Sequence, residues 1–101
     1  MKLYHASPIE NKENILEYGI YSNESDKISN DERLSGSYVF GFNNMADAIN
    51  FITDNTSDYV IFSFEVPDYD VIQDTEYEDG CAFAVDYDIA PDKLVIEKEV
   101  F

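Results

Sequence analysis

Few residues in this chain can do chemistry, and most of them sit in two short blocks. The run Leu3-Tyr4-His5-Ala6-Ser7 supplies the only imidazole, His5, and a hydroxyl two positions on. The run Gly36-Ser37-Tyr38-Val39-Phe40 supplies an aromatic face at Tyr38. Carboxylates are plentiful; Glu76 and Glu78 stand just before an apolar stretch at 81–87. Arg33 is the one arginine, in a long polar loop at 21–35, where most lone arginines are merely solvated. One cysteine and one histidine do not make a zinc site.

Each of these residues has a purely structural alternative. His5 can be a neutral histidine hydrogen-bonded near the core. Ser7 can cap a helix. Tyr38 can pack in a sheet, in a chain with eight tyrosines. Glu78 can be one solvated acid among many, and Cys81, flanked by small and apolar residues, a buried inert thiol.

The elements that must position them follow from the pattern. Residues 2–5 read as a short strand. Ser7-Pro8-Ile9-Glu10 reads as a helix start: Ser7 as cap, Pro8 at the first helical position, Glu10 closing a capping box. Ile9, Ile15 and Leu16 line one face, and Gly19 ends the helix. Residues 37–41 read as a strand. Asn44 is placed to cap the next helix, in which Met45, Ala48, Ile49 and Ile52 form an amphipathic stripe. Tyr59 to Val66 is the strongest strand signal, with Val60, Phe62, Phe64 and Val66 on one face and Ile61 opposite. Pro67 stops it. Val71-Ile72, residues 81–87 and Leu94 to Val100 complete the strands. Helices early and strands late make an α+β pattern.

Bulk properties set limits. A chain of 101 residues makes one domain, 1–101, with a modest core. Its 45% hydrophobic and 15% aromatic content separates it from acidic disordered chains. No stretch approaches the roughly 18 apolar residues that cross a bilayer. The opening reaches His5 and Pro8 without a basic region or an apolar run, so no signal peptide is expected. With a single cysteine, that suits a cytoplasmic location. The net charge is −16, and between Arg33 and Lys93 there are acids but no lysine or arginine. Such a surface should repel nucleic acid and anionic membrane and attract a basic protein, for example one that itself binds nucleic acid. The plainer alternative is that the acids keep a small protein soluble.

The two blocks together resemble the His-Tyr-Glu branch of the ADP-ribosyltransferase superfamily. That branch opens with a strand ending His-Gly-Ser or His-Gly-Thr; here Ala6 stands in place of the glycine. Its next block is a Gly-x-Tyr-Phe strand and a helix with small residues, to which Gly36 to Phe40 and Ala46-Asp47-Ala48 are similar. Some phage anti-CRISPR ADP-ribosyltransferases are likewise small and acidic and begin with a His-x-Ser-Pro run, as in His5 to Pro8. The resemblance implies two small, mostly antiparallel sheets with two short helices early in the chain. It implies NAD as substrate, bound between the first strand and the Tyr38 strand. His5 and Ser7 would hold the ribose hydroxyls and Tyr38 would stack on nicotinamide. Arg33 would meet the pyrophosphate, and Glu78 would be the acid that favours an oxocarbenium-like sugar. A register that puts Cys81 or Ala82 at the acid's place leaves a scaffold without it.

Two functions are therefore expected. The first is a small phage-type enzyme that uses NAD to modify a basic, nucleic-acid-binding host defence protein. The second is a non-enzymatic acidic inhibitor that imitates nucleic acid and fills a basic groove. An immunity protein for a basic toxin shares the second logic.

Overall fold

One strand of the sheet is buried on both sides. In the computed structural model, which describes residues 1–22, 38–73 and 81–101, β3 (Tyr59–Glu65) is buried from Tyr59 to Phe64. Its β-branched and aromatic run suits a two-sided core position. On one side it pairs with β1 (Lys2–Pro8), antiparallel, from Lys2↔Glu65 to Pro8↔Tyr59. On the other it pairs with β6 (Val95–Val100). Beyond β1 lie β2 (Val39–Phe42), β5 (Ala82–Val85) and β4 (Ile72–Gln73), in the order β4-β5-β2-β1-β3-β6. The α1 helix (Lys12–Tyr18) follows β1 and α2 (Met45–Thr53) follows β2.

The described strands thus form one antiparallel six-stranded sheet, where two small sheets were expected. The difference turns on a single joint. β1 and β2 share one register pair, Tyr4↔Phe42, whereas β1–β3 and β2–β5 pair along their lengths. Two three-stranded halves, β4-β5-β2 and β1-β3-β6, are therefore hinged at one point. Gly41 lies at this joint: a Cβ there would come within 3.1 Å of Leu3 Cβ and 3.2 Å of the Tyr4 carbonyl.

The faces divide as the alternation predicts. Leu3, Phe64 and Val66 pack with Val39, Val85, Ile20 and Ile89, and Ile15 of α1 joins them. On the opposite face Phe42, Tyr59, Ile61 and Ala82 pack under Ala48 and Ile52 of α2. Asn44 caps α2 as expected: its Oδ1 accepts from the Asp47 backbone N–H at 2.9 Å.

The start of α1 departs from expectation. Ser7 and Pro8 remain in β1, because β3 offers a paired residue as far as Tyr59. A 3-10 turn at Ile9–Asn11 comes next, and no side chain caps either it or α1. Ser7 therefore accepts a hydrogen bond from Asn11 Nδ2 at 3.3 Å instead of capping, and the expected capping box does not form. Leu16, expected on the packed face, is exposed. Gly19 does end the helix, and Ile20 and Ile89 then exchange two backbone hydrogen bonds of 2.9 and 2.8 Å.

The β6 edge is irregular. Its register slips between Ile61 and Phe62, leaving Glu97 as the extra residue. That carboxylate accepts from the buried Ser63 hydroxyl at 2.6 Å and pairs with Lys2 Nζ at 3.0 Å. The Ser63 bond, then Lys2, holds the Glu97 carboxyl below its ordinary range. A bulge and a Glu-Lys-Glu run discourage edge-to-edge pairing.

Tyr87 donates to Asp70 Oδ2 at 2.7 Å. Burial, reinforced by that bond, pushes its hydroxyl from 10.0 up to about 12. The unfolded chain then ionises this phenol first, so stability is intact below pH 10 and declines as the pH climbs toward 12. Tyr87→Phe is expected to remove that alkaline decline, read as the change in urea midpoint between the two limits.

Candidate functional site

The hinge between β1 and β2 carries the histidine. His5 Nδ1 lies 2.8 Å from the carbonyl oxygen of Phe40 in β2. A carbonyl only accepts, so Nδ1 bears a proton and donates it to Phe40. The imidazole spans the two strands just past their one register pair. It is half-buried, beside Phe62 on β3, its partner in register.

Ser7 lies on the same face of β1, opposite Val60. Its side chain is buried and bonded by Asn11. Tyr38 immediately precedes β2 and is half-buried. Its ring tilts against Phe40, with centroids 6.2 Å apart and planes at 59°, and it packs with Ile72 against the Phe40–Ala84 pair. Alternation along β2 sets Phe40 on the same face as Phe42, the side covered by α2. His5 shares the other face with Leu3 and Ser7. The structure thus links His5 to the main chain two residues from Tyr38 but sets the two side chains on opposite faces.

Arg33, Glu76 and Glu78 lie outside the described residues, as do Gly36 and Ser37. Cys81 directly precedes β5, is buried, and its carbonyl accepts from the Asn43 N–H at 2.9 Å. The start of β5 therefore lies beside Phe42, at the end of β2 away from Tyr38. Among the described residues no group of His, Cys, Asp or Glu is arranged to hold a metal ion. Nor is any described helix long and apolar enough to cross a membrane.

Sequence reasoning missed two features. The Phe40 carbonyl is invisible to a search by side-chain type. A half-open groove of about 230 Å³ lies between the end of β3 and the chain before β6, lined by Glu65, Val66, Pro67, Tyr87, Asp88, Ile89, Ala90 and Lys93. It is smaller than the roughly 300–1,000 Å³ of ordinary small-molecule sites. Neither His5 nor Tyr38 borders it, and its carboxylates would repel a pyrophosphate.

Compared with known proteins, the chain matches no family model, no curated protein and no solved structure.

Proposed function

We propose that this chain is an ADP-ribosyltransferase-like protein that binds NAD at the hinge between β1 and β2. The observation that carries the reading is the orientation of His5. Its Nδ1 donates to the Phe40 carbonyl, which fixes the imidazole across β1 and β2, where the resemblance would place the ribose hydroxyls. An NAD-using transferase needs that anchoring, because the sugar must be pinned while the nicotinamide bond breaks.

The other roles rest on the resemblance. Tyr38 would give an aromatic face to nicotinamide, Arg33 a charge to the pyrophosphate, and Glu78 a carboxylate to the developing positive sugar. Ser7 fits less directly, since it is buried and its oxygen already accepts from Asn11; it supports the strand that carries His5. The target is a basic protein, in line with the charge of −16, and a nucleic-acid-binding defence protein met by a phage-encoded enzyme in the host cytoplasm fits that charge best.

The second reading, an acidic inhibitor that acts by occupying a basic groove, is favoured by one observation: His5 and Tyr38 stand on opposite faces. It predicts binding that weakens steeply with salt and ignores His5→Ala.

The two readings separate on nicotinamide release from NAD in the presence of basic protein. The enzyme reading expects release by the native chain and its loss in His5→Ala, Tyr38→Ala and Glu78→Gln, each still folded by its melting curve. A folded His5→Ala chain with undiminished release would sink it.

A further inference from the structure

We propose that the groove between the end of β3 and the chain before β6 is a docking site for an arginine side chain of the basic partner. This deepens the target side of the reading above and rests on its basic protein partner, though not on NAD.

The apolar part of the lining suits an aliphatic stem. Val66, Pro67, Ile89 and Ala90 supply apolar contact, and Tyr87 supplies an aromatic wall fixed by its hydrogen bond to Asp70. A volume of about 230 Å³ is too small for a dinucleotide and suits one long side chain. The groove's two lining carboxylates for the head of that side chain are Glu65, 3.9 Å from the Met1 amine, and Asp88, whose Oδ1 accepts from the Ser22 N–H at 2.7 Å. An arginine satisfies both demands at once, with an apolar stem below and a planar, charged fork above.

The surroundings reinforce the choice of sign. The two chain segments that form the groove carry Glu65, Asp68 and Asp70 on one side and Asp86, Asp88 and Asp92 on the other. The nearby cations are Lys93 and the Met1 amine, the latter 2.7 Å from Asp68. Acids thus outnumber cations around an apolar slot, the complement of a basic segment. Next to it, the 3-10 turn Asp68–Asp70 holds Tyr69, 89% exposed between two acids. A bare tyrosine ring there offers its face to a second guanidinium. These features go beyond solubility, which needs neither an apolar slot nor an exposed ring.

The test uses acetylated hexa-arginine amide as the probe and ¹⁵N-labelled full-length protein. The expected result is saturable amide shifts concentrated at Glu65, Val66, Tyr87 to Ala90 and Lys93. Ala90→Phe fills the slot without touching a charge, at an exposed position in extended backbone. It is expected to weaken binding about tenfold while the melting temperature holds. Lys93→Ala removes a rim cation at an exposed position and is expected to tighten binding about threefold. Shifts spread over the acidic residues generally, or equal affinity in all three proteins, would overturn the proposal. NAD-induced stabilisation, measured on the same Ala90→Phe protein, keeps the outcomes apart. Lost peptide binding in the native chain with NAD response intact removes the groove alone. Peptide binding without any NAD response removes the NAD reading alone.

Discussion

Gly19→Ala is expected to cost the protein about 3 kcal/mol or more, a large part of a small domain's stability. Gly19 closes α1 with φ 84° and ψ −166°, a region open almost only to glycine. A Cβ at this position would also stand 2.1 Å from the carbonyl oxygen of Ile89 and 3.1 Å from Pro91 Cδ. Neither neighbour is a flexible tip that can swing away. The Ile89 carbonyl is moreover the acceptor for the Ile20 N–H at 2.9 Å, so relieving the clash breaks the bridge that fastens the end of α1 to the chain before β6. Ile20 and Ile89 are both buried in the core that contains Leu3 and Phe64. The loss should appear as a fall in melting temperature of roughly 12–24 °C for a domain of this size. A fall of only a few degrees would mean that this crossing is looser than the structure has it.

Phe62→Ala is the second large effect, expected at about 3–5 kcal/mol. Phe62 is fully buried in β3, between His5 on β1 and Ile96 on β6 in register. Truncation leaves a cavity that the flanking strands cannot close, because each is held by its own ladder. Denaturant unfolding is expected to show a lower midpoint with an unchanged slope. The same substitution removes the ring beside His5, so any ligand response there should weaken as well. Phe62→Leu, which keeps most of the volume, is the matched control and should cost much less. Equal losses for both would contradict the packing described here.

Much of this architecture was legible in the sequence. The Met45-Ala48-Ile49-Ile52 stripe, the Asn44 cap and the Tyr59-to-Val66 run are local signals, and α2 and β3 follow them closely. Gly19 announced the end of α1 because chain reversal there needs a residue without a side chain. Ser7 and Pro8 misled, since a capping pattern and a strand end look alike locally. Only the partner strand decides between them, and β3 is about fifty residues away. The single sheet was hidden for a similar reason: one pair, Tyr4↔Phe42, joins the two halves, and no local pattern encodes it.

Of the candidate site, only the residue types were legible. His5 stood out as the sole histidine at a strand end, but its partner is a main-chain carbonyl that any residue at position 40 would supply. Tyr38 stood out by its block, yet which face it takes depends on the pairing of β2 with β5. Arg33 and Glu78 are outside the described residues. The groove at Glu65 to Pro67 and Tyr87 to Lys93 joins segments about twenty residues apart, each of which reads alone as a polar turn.

The central claim is that NAD binds at the β1–β2 hinge through His5. The most direct measurement is the melting temperature of the pure protein with and without millimolar NAD, for the native chain and for His5→Ala. The substitution removes the hydrogen bond to the Phe40 carbonyl at a half-buried position, a bond worth about 1 kcal/mol, and a melting curve without NAD checks that the variant is folded. At a concentration a hundredfold above its dissociation constant, NAD should stabilise the native chain by roughly 2.7 kcal/mol, which amounts to about 10 °C or more. The account predicts that rise in the native chain and its absence in His5→Ala. No rise in the native chain, or an equal rise in both, would contradict it.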